Sequence, residues 1–541
     1  MLTKTIKSEE DVASDHLFKL IREWIRTCDA DHMQCPKTTN PLPTRVIDVS
    51  VIDNPKLYVT HGEILPYLAL SYCWGTKKVL TTTSQNIQQH MVGIPTSDLP
   101  QTVRDAITVT QRLGIRYLWI DALCIIQDSD DDKDNEIGKM ASIYKNSYLT
   151  ICAARASGSE MGFLGKRDTR SVEGAFSIPM SFQTPHAHGL MNHILLVEKG
   201  LKRDIIDPLH KRGWNLQEVM LSPRVLMYSC TQLYFVCQET AEQDGGVDDW
   251  FAYSKANGYH RLWGLPRSCS KDQSREAHNE PDNMSVEEEF RHDTVSKDTE
   301  LTLKTGWDRV IQDYARRGLT VASDKLPALS ALAEEFNRVT GDQYAAGMWR
   351  SWMPGNLLWR VKAIASRPTE WRAPSWSWLA VDAEIWTPDE QGAHVYSSVA
   401  EVVECTVIPH TNVAPFAQLV YAELKLRSYP ATLLRAGPTT SERLYSMGGA
   451  DQSNETCWVQ WDPPFPDEAA SGFSSHPGYL FDIPRPSTEH LCLPISVSDG
   501  NVRGLVISTT EQTGAYRRKG FFVSHNNLSL LQGQKRIYTL I

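Results

Sequence analysis

Tyr67-Leu68-Ala69-Leu70-Ser71-Tyr72 and Tyr117-Leu118-Trp119-Ile120-Asp121-Ala122-Leu123-Cys124-Ile125-Ile126 are two apolar runs separated by the clearest helical segment of the chain. The first alternates into Cys73-Trp74-Gly75, while the second is apolar at nearly every position, as expected of a strand covered on both faces. Between them, residues 98–114 place Val103, Ala106, Ile107, Thr110 and Leu113 on one helical face. Asp98 and Pro100 suit the first turn of that helix, and Gly114 suits the position just beyond its end. A second helix, with Ile137, Met140, Ala141 and Tyr144 in one stripe, leads to a strand over 148–153. Strand, helix, buried strand, helix, strand predicts an α/β fold, a parallel-sheet core with helices on both faces. Ligands of such sheets bind beyond the carboxyl ends of the strands, which singles out residues 71–75 and 121–127.

Outward from this core, residues 16–35 carry Leu17, Leu20, Ile21 and Trp24 at helical spacing before Pro36, and 45–51 alternate like a strand. An irregular stretch over 155–210 is followed by a short helix over 214–221 and a strand pair over 225–237. Residues 270–300 are polar and charged with few apolar positions, a disordered linker or loop. A helical segment over 301–337 then gives way to a β-rich end, with alternating segments near 397–408, 419–427, 503–509 and 520–524. The expected organisation is a leader over 1–60, the α/β core over 61–240, the linker over 270–300 and a C-terminal region over 301–541.

A chain of 541 residues exceeds what one core usually organises, and its 41% hydrophobic and 22% charged residues are those of a globular protein. The net charge of −10, without a dense Lys/Arg block, argues against a nucleic-acid partner. The acidic run over 128–136 lacks the glycine a calcium loop needs and reads as the solvated start of a helix. Eleven scattered cysteines predict free thiols and a reducing compartment. Residues 1–16 lack an apolar secretory core, and the longest apolar run is too short to span a bilayer, so no membrane span and a cytoplasmic location are expected. Cys28-x3-His32-x2-Cys35 offers three zinc-type ligands and no visible fourth, which favours surface helix positions and no metal.

Several blocks carry a family resemblance. Tyr67-Leu-Ala-Leu-Ser-Tyr-Cys-Trp-Gly75, Leu99-Pro-Gln-Thr-Val-Arg-Asp-Ala106, Tyr117-Leu-Trp-Ile-Asp-Ala-Leu-Cys-Ile-Ile-Gln127 and Arg212-Gly-Trp-Asn-Leu-Gln-Glu218 resemble, in order, the blocks of the fungal heterokaryon-incompatibility (HET) family. The likeness continues through Arg317-Gly-Leu-Thr320, Asp324-Lys-Leu-Pro327 and Ala373-Pro-Ser-Trp-Ser-Trp378. It implies a role in fungal non-self recognition and cell death, with protein partners or self-association; some members lie beside secondary-metabolite genes. Leu70-Ser-Tyr-Cys-Trp-Gly75, Leu113-Gly-Ile-Arg-Tyr-Leu-Trp-Ile-Asp121 and Trp214-Asn-Leu-Gln-Glu218 are also similar to TIR-domain segments. That second likeness implies a TIR-like core and hydrolysis of an NAD-type nucleotide, with NAD as substrate and no bound cofactor.

The residues fit such chemistry. Cleaving a nicotinamide–ribose bond passes through an oxocarbenium-like state that one buried carboxylate can stabilise. Glu218 is the candidate for that role, and its alternative is an ion pair with Arg212 or Arg224. Asp121 is a second catalytic candidate, able to orient Arg212 or bind a ribose hydroxyl, or else a satisfied buried acid. Ser71, Trp74, Arg212 and Trp214 are expected to line the substrate pocket, Trp74 alternatively being plain core. Cys124 could act as a nucleophile if a histidine (His186, His188, His193 or His210) approaches it, or could be a small buried hydrophobe. Two other functions remain open: a non-catalytic oligomerising interaction module, and a small-molecule enzyme of a secondary-metabolite pathway. An open pocket at Glu218 would favour the hydrolase, and a paired, closed carboxylate the interaction module.

Overall fold

The computed structural model describes residues 10–37, 39–51, 53–167, 175–181, 191–197, 207–244, 297–362, 365–388, 397–412, 414–434, 444–448, 455–466, 490–525 and 527–541. They fall into two compact units, one within Met1–Ala256 plus Arg317–Leu332, the other within Asn257–Arg316 plus Ala333–Ile541.

The first unit is built on β3 (Tyr67–Ser71), β4 (Tyr117–Trp119), β5 (Leu149–Cys152) and β8 (Arg224–Tyr228), which are mutually parallel in the order β8-β5-β3-β4. Every residue of these four strands is buried, consistent with a sheet covered on both sides. Antiparallel strands flank them: β1 (Arg45–Asp48) and β2 (Lys56–Val59) at one edge, β9 (Leu233–Cys237) and β10 (Ala241–Gln243) at the other. Residues 1–60, expected as a leader, thus supply two strands of the same sheet. A separate hairpin, β6 (Ala175–Ser181) with β7 (Met191–Val197), lies within the stretch read as irregular.

Helix α1 (Asp15–Asp31) is capped by Ser14, whose hydroxyl accepts from the Leu17 N–H, and buries Leu17, Phe18, Ile21, Trp24, Ile25 and Cys28. Cys28 and Cys35 are therefore buried rather than on the surface. After α2 (Ile87–Val92), α3 (Gln101–Arg112) buries Val103, Ala106, Ile107 and Thr110, and Gly114 beyond it adopts φ +75° as its position requires. The strand expected to run to residue 126 stops at Trp119 and gives way to a helical turn, α4 (Asp121–Cys124), at whose start the Asp121 carboxylate accepts from the Ala122 N–H. An all-apolar run carries no period that would separate a strand from a buried turn.

Helix α5 (Asp130–Asn146) buries Glu136, Met140, Ile143 and Tyr144, while Ile137, assigned to the buried stripe, is exposed. The acidic run is only partly solvated: Asp132 pairs with Arg45 at 2.6 Å, and buried Glu136 accepts from Thr44 at 2.8 Å. Helix α6 (Gly213–Leu221) precedes β8. The step from β3 to β4 runs one way across the sheet, and those to β5 and β8 run the other. Right-handed crossovers then put α3 on one face and α5 with α6 on the opposite one, and α5 and α6 do lie side by side.

The second unit begins its described part with the helix Lys297–Ala315 and is otherwise β-rich. Most of the 270–300 segment lies outside the described residues. A ten-stranded, largely antiparallel sheet includes Glu401–Pro409, Leu419–Ser428, Asn501–Thr509 and Ala515–Ser524, which coincide with the alternating segments of the sequence. Its Arg518 is fully buried, held by Asp462 at 2.8 Å and by the Leu357 and Trp359 carbonyls at 2.6 and 2.7 Å. Among the described residues no helix is long and apolar enough to cross a membrane.

Candidate functional site

β3 and β5 are neighbours whose outgoing connections leave toward opposite sides of the sheet, and Ser71 and Cys152 face each other at their carboxyl ends. Such a topological switch point is where doubly wound sheets hold ligands. The side chain waiting there is Glu218, supplied by α6.

The Ser71 hydroxyl donates to Glu218 Oε2 and accepts from Asn215 Nδ2 at 3.0 Å. Asn215 Oδ1 in turn accepts from Arg317 at 3.2 Å and lies 3.2 Å from His210 Nδ1. On the other side of β3, the Trp74 indole N–H donates to Asp121 Oδ2 at 2.9 Å, and Asp121 Oδ1 accepts from the Ala122 N–H at 2.6 Å. Arg212 joins the two halves. Its Nη1 donates to the Tyr72 carbonyl, and its charge acts on both Glu218 and Asp121.

Burial pushes the Glu218 carboxyl above its ordinary value, while the Arg212 charge and the Ser71 hydrogen bond pull the other way and the Asp121 charge adds to the rise. Burial likewise raises Asp121, against Arg212 and the Trp74 hydrogen bond. Glu218 is only 3% exposed. Its carboxylate is enclosed and hydrogen-bonded, the condition set out above for a closed site.

Ser71, Asp121, Arg212, Trp74 and Glu218 thus gather at one sheet rim. Trp214 belongs to the same helix as Glu218, and its indole N–H donates to Asp324 Oδ2 at 3.0 Å. Arg224, the other possible partner of Glu218, pairs instead with Asp29 at 2.7 Å. Cys124 does not have the surroundings of a nucleophile. It is fully buried, its sulfur accepts from the Ile120 N–H at 3.4 Å, and burial pushes its thiol up to about 12. His210 is engaged with Asn215, His186 and His188 lie outside the described residues, and so does the side chain of His193.

Asn215, Tyr72 and Arg317 are site residues that the sequence reading did not single out. Asn215 sits inside the 212–218 block, but its bond to Ser71 joins residues 144 positions apart. Arg317 opens the block 317–320, which folds back on the start of α6. Gly318 accepts from the Gly213 N–H at 2.8 Å and donates to the Lys211 carbonyl at 2.6 Å. The Leu319 side chain fills the space a Cβ on Gly213 would need, so any larger residue there would have to displace it.

No curated protein and no solved structure matches the chain, so the likeness to TIR domains rests on sequence segments alone. Residues 67–218, which contain Ser71, Asp121, Arg212 and Glu218 and run from the first strand of the parallel core into α6, match the family model for heterokaryon incompatibility protein (HET), and this part of the chain is a HET domain.

Proposed function

We propose that the protein acts in heterokaryon incompatibility as an effector of non-self recognition and cell death, and that its sheet-rim cluster is a nucleotide-cleaving centre for an NAD-type substrate. The observation that carries the reading is the gathering of Ser71, Asp121, Arg212 and Glu218 at the switch point of a parallel sheet. In the reaction the bond between the nicotinamide nitrogen and the ribose carbon breaks. Its electron pair leaves with nicotinamide, and water adds to the ribose. Glu218 in its carboxylate form would stabilise the cationic ribose, Arg212 favouring that charged form against the cost of burial. The enclosure of Glu218 means that access requires α6 or the Trp74 segment to move, so the activity would belong to a triggered or assembled form.

The same enclosure specifically favours a second reading, in which the cluster only holds the domain together and the protein signals by associating with partners. One pair of proteins separates the two. In the first reading the wild-type chain consumes NAD and Glu218→Gln lowers that turnover about a hundred- to a thousand-fold. In the second, the wild-type chain consumes no NAD even when concentrated and assembled, and the variant melts earlier because a buried cation has lost a partner.

A further inference from the structure

We propose that Cys28, His32, Cys35 and Cys237 form a closed structural zinc site that fastens the end of α1 to the end of β9. The one-letter pattern offers only the first three. The fold supplies Cys237 from about two hundred residues away in sequence, where β9 ends.

The geometry is that of a metal site before metal. One ligand atom from each of the four residues lies within 4.8 Å of every other, with His32 Nδ1 3.2 Å from Cys237 Sγ and 3.9 Å from Cys35 Sγ. A tetrahedron with zinc–sulfur bonds of ~2.3 Å and a zinc–nitrogen bond of ~2.05 Å has edges of about 3.6–3.8 Å. The four atoms therefore need only small adjustments to take up a common centre. Three sulfurs and one imidazole form a soft, four-fold donor set that suits zinc and leaves no position open for a substrate.

The surroundings fit three thiolates. With a divalent cation the site carries one net negative charge, and the buried Arg224 guanidinium donates from Nε to Cys28 Sγ at 3.2 Å. The Thr240 N–H donates to Cys237 Sγ at 3.4 Å, and the Thr240 hydroxyl lies 3.6 Å from it. Such outer partners orient ligands and balance their charge. None of the three cysteines is in a disulfide, and His32 is 9% exposed, so the cluster is shielded from solvent. Nearby, Trp24 of α1 stacks on Phe235 of β9 with ring centroids 6.2 Å apart, so the metal would reinforce a contact the core already makes.

The test uses the full chain, purified under reducing conditions without chelator. Elemental analysis should find about one zinc per chain, and exchange with cobalt(II) should give the intense visible absorption of a tetrahedral, thiolate-bound ion. Cys237→Ser should lower metal retention by about tenfold or more, and Cys405→Ser, outside the cluster, should not. Chelation of the wild type should lower its melting temperature, since the metal binds only the folded arrangement. Wild-type protein with neither zinc nor a tetrahedral cobalt spectrum overturns the proposal without any variant. So does a zinc content that Cys237→Ser and Cys28→Ser leave unchanged, which would place the metal elsewhere.

Discussion

Arg212→Met removes a cation that acts on both carboxylates of the sheet rim while keeping the volume of the side chain's stem. Taking one member from a buried charge cluster costs about 3–5 kcal/mol. The lower end applies here, because Arg212 acts through space and Arg317 remains as a second cation on Glu218. About 3 kcal/mol corresponds to a fall of about 6–12 °C in melting temperature for a unit of this size. The loss should depend on pH in a definite sense. Without Arg212 the folded-state pKa of Glu218 and Asp121, already raised by burial, rises further. A raised carboxyl binds its proton more tightly in the folded state, so stability is retained below the ordinary value of 4.5 and falls as pH climbs through the folded value. The deficit against wild type should therefore be small near pH 5 and grow toward pH 8. Thermal melts of both proteins across that range measure it, and adding Glu218→Gln to the variant should recover part of the loss at high pH. A deficit that is the same at every pH, or below about 1 kcal/mol, would refute the idea that Arg212 compensates buried carboxylates.

Two further outcomes are expected. Asp105 is buried and its Oδ2 accepts from the Phe163 and Leu164 N–H groups at 2.6 and 2.9 Å, so Asp105→Ala should cost about 2–4 kcal/mol in urea unfolding by orphaning two backbone donors; a loss under half that would show the loop over 157–164 to be held by other means. Cys124, with its thiol raised to about 12, should resist iodoacetamide in the native protein and react after denaturation, as read by peptide mass spectrometry; fast native labelling at that residue would restore it as a candidate nucleophile.

The legible parts of this fold were those where a period leaves one assignment. The stripe on α3 and the apolar 67–71 run belong there, and so does the glycine closing α3, because each requirement is local. The run that misled was the longer one, where total burial hides the change from strand to helical turn. Residues 117–126 are apolar whether extended or helical, so no period marks where β4 ends and the turn at Asp121 begins. Glu136 shows the converse, an acid in a charged run that is buried because Thr44 and Lys139 meet it. At the site, parallel-sheet logic singled out Ser71 and Asp121, whereas Glu218 was a candidate through the likeness to TIR-domain segments. The closing contacts from Arg317 and Asn215, and the approach of Cys237 to Cys28, His32 and Cys35, depend on long-range folding that no spacing encodes.

The return of residues 317–324 onto α6 also bears on the order in which the protein can be made. Trp214 bonds to a residue 110 positions later, and Gly213 is clasped by Gly318. At ~5–20 residues per second, a ribosome needs about 5–20 s after finishing α6 to synthesise this clasp. During that interval the nascent chain holds the HET-matching segment without this clasp on its Glu218-bearing helix. A product that terminates soon after residue 240 would lack the clasp permanently, with α6 held by Ser71, the Tyr72 carbonyl and α5.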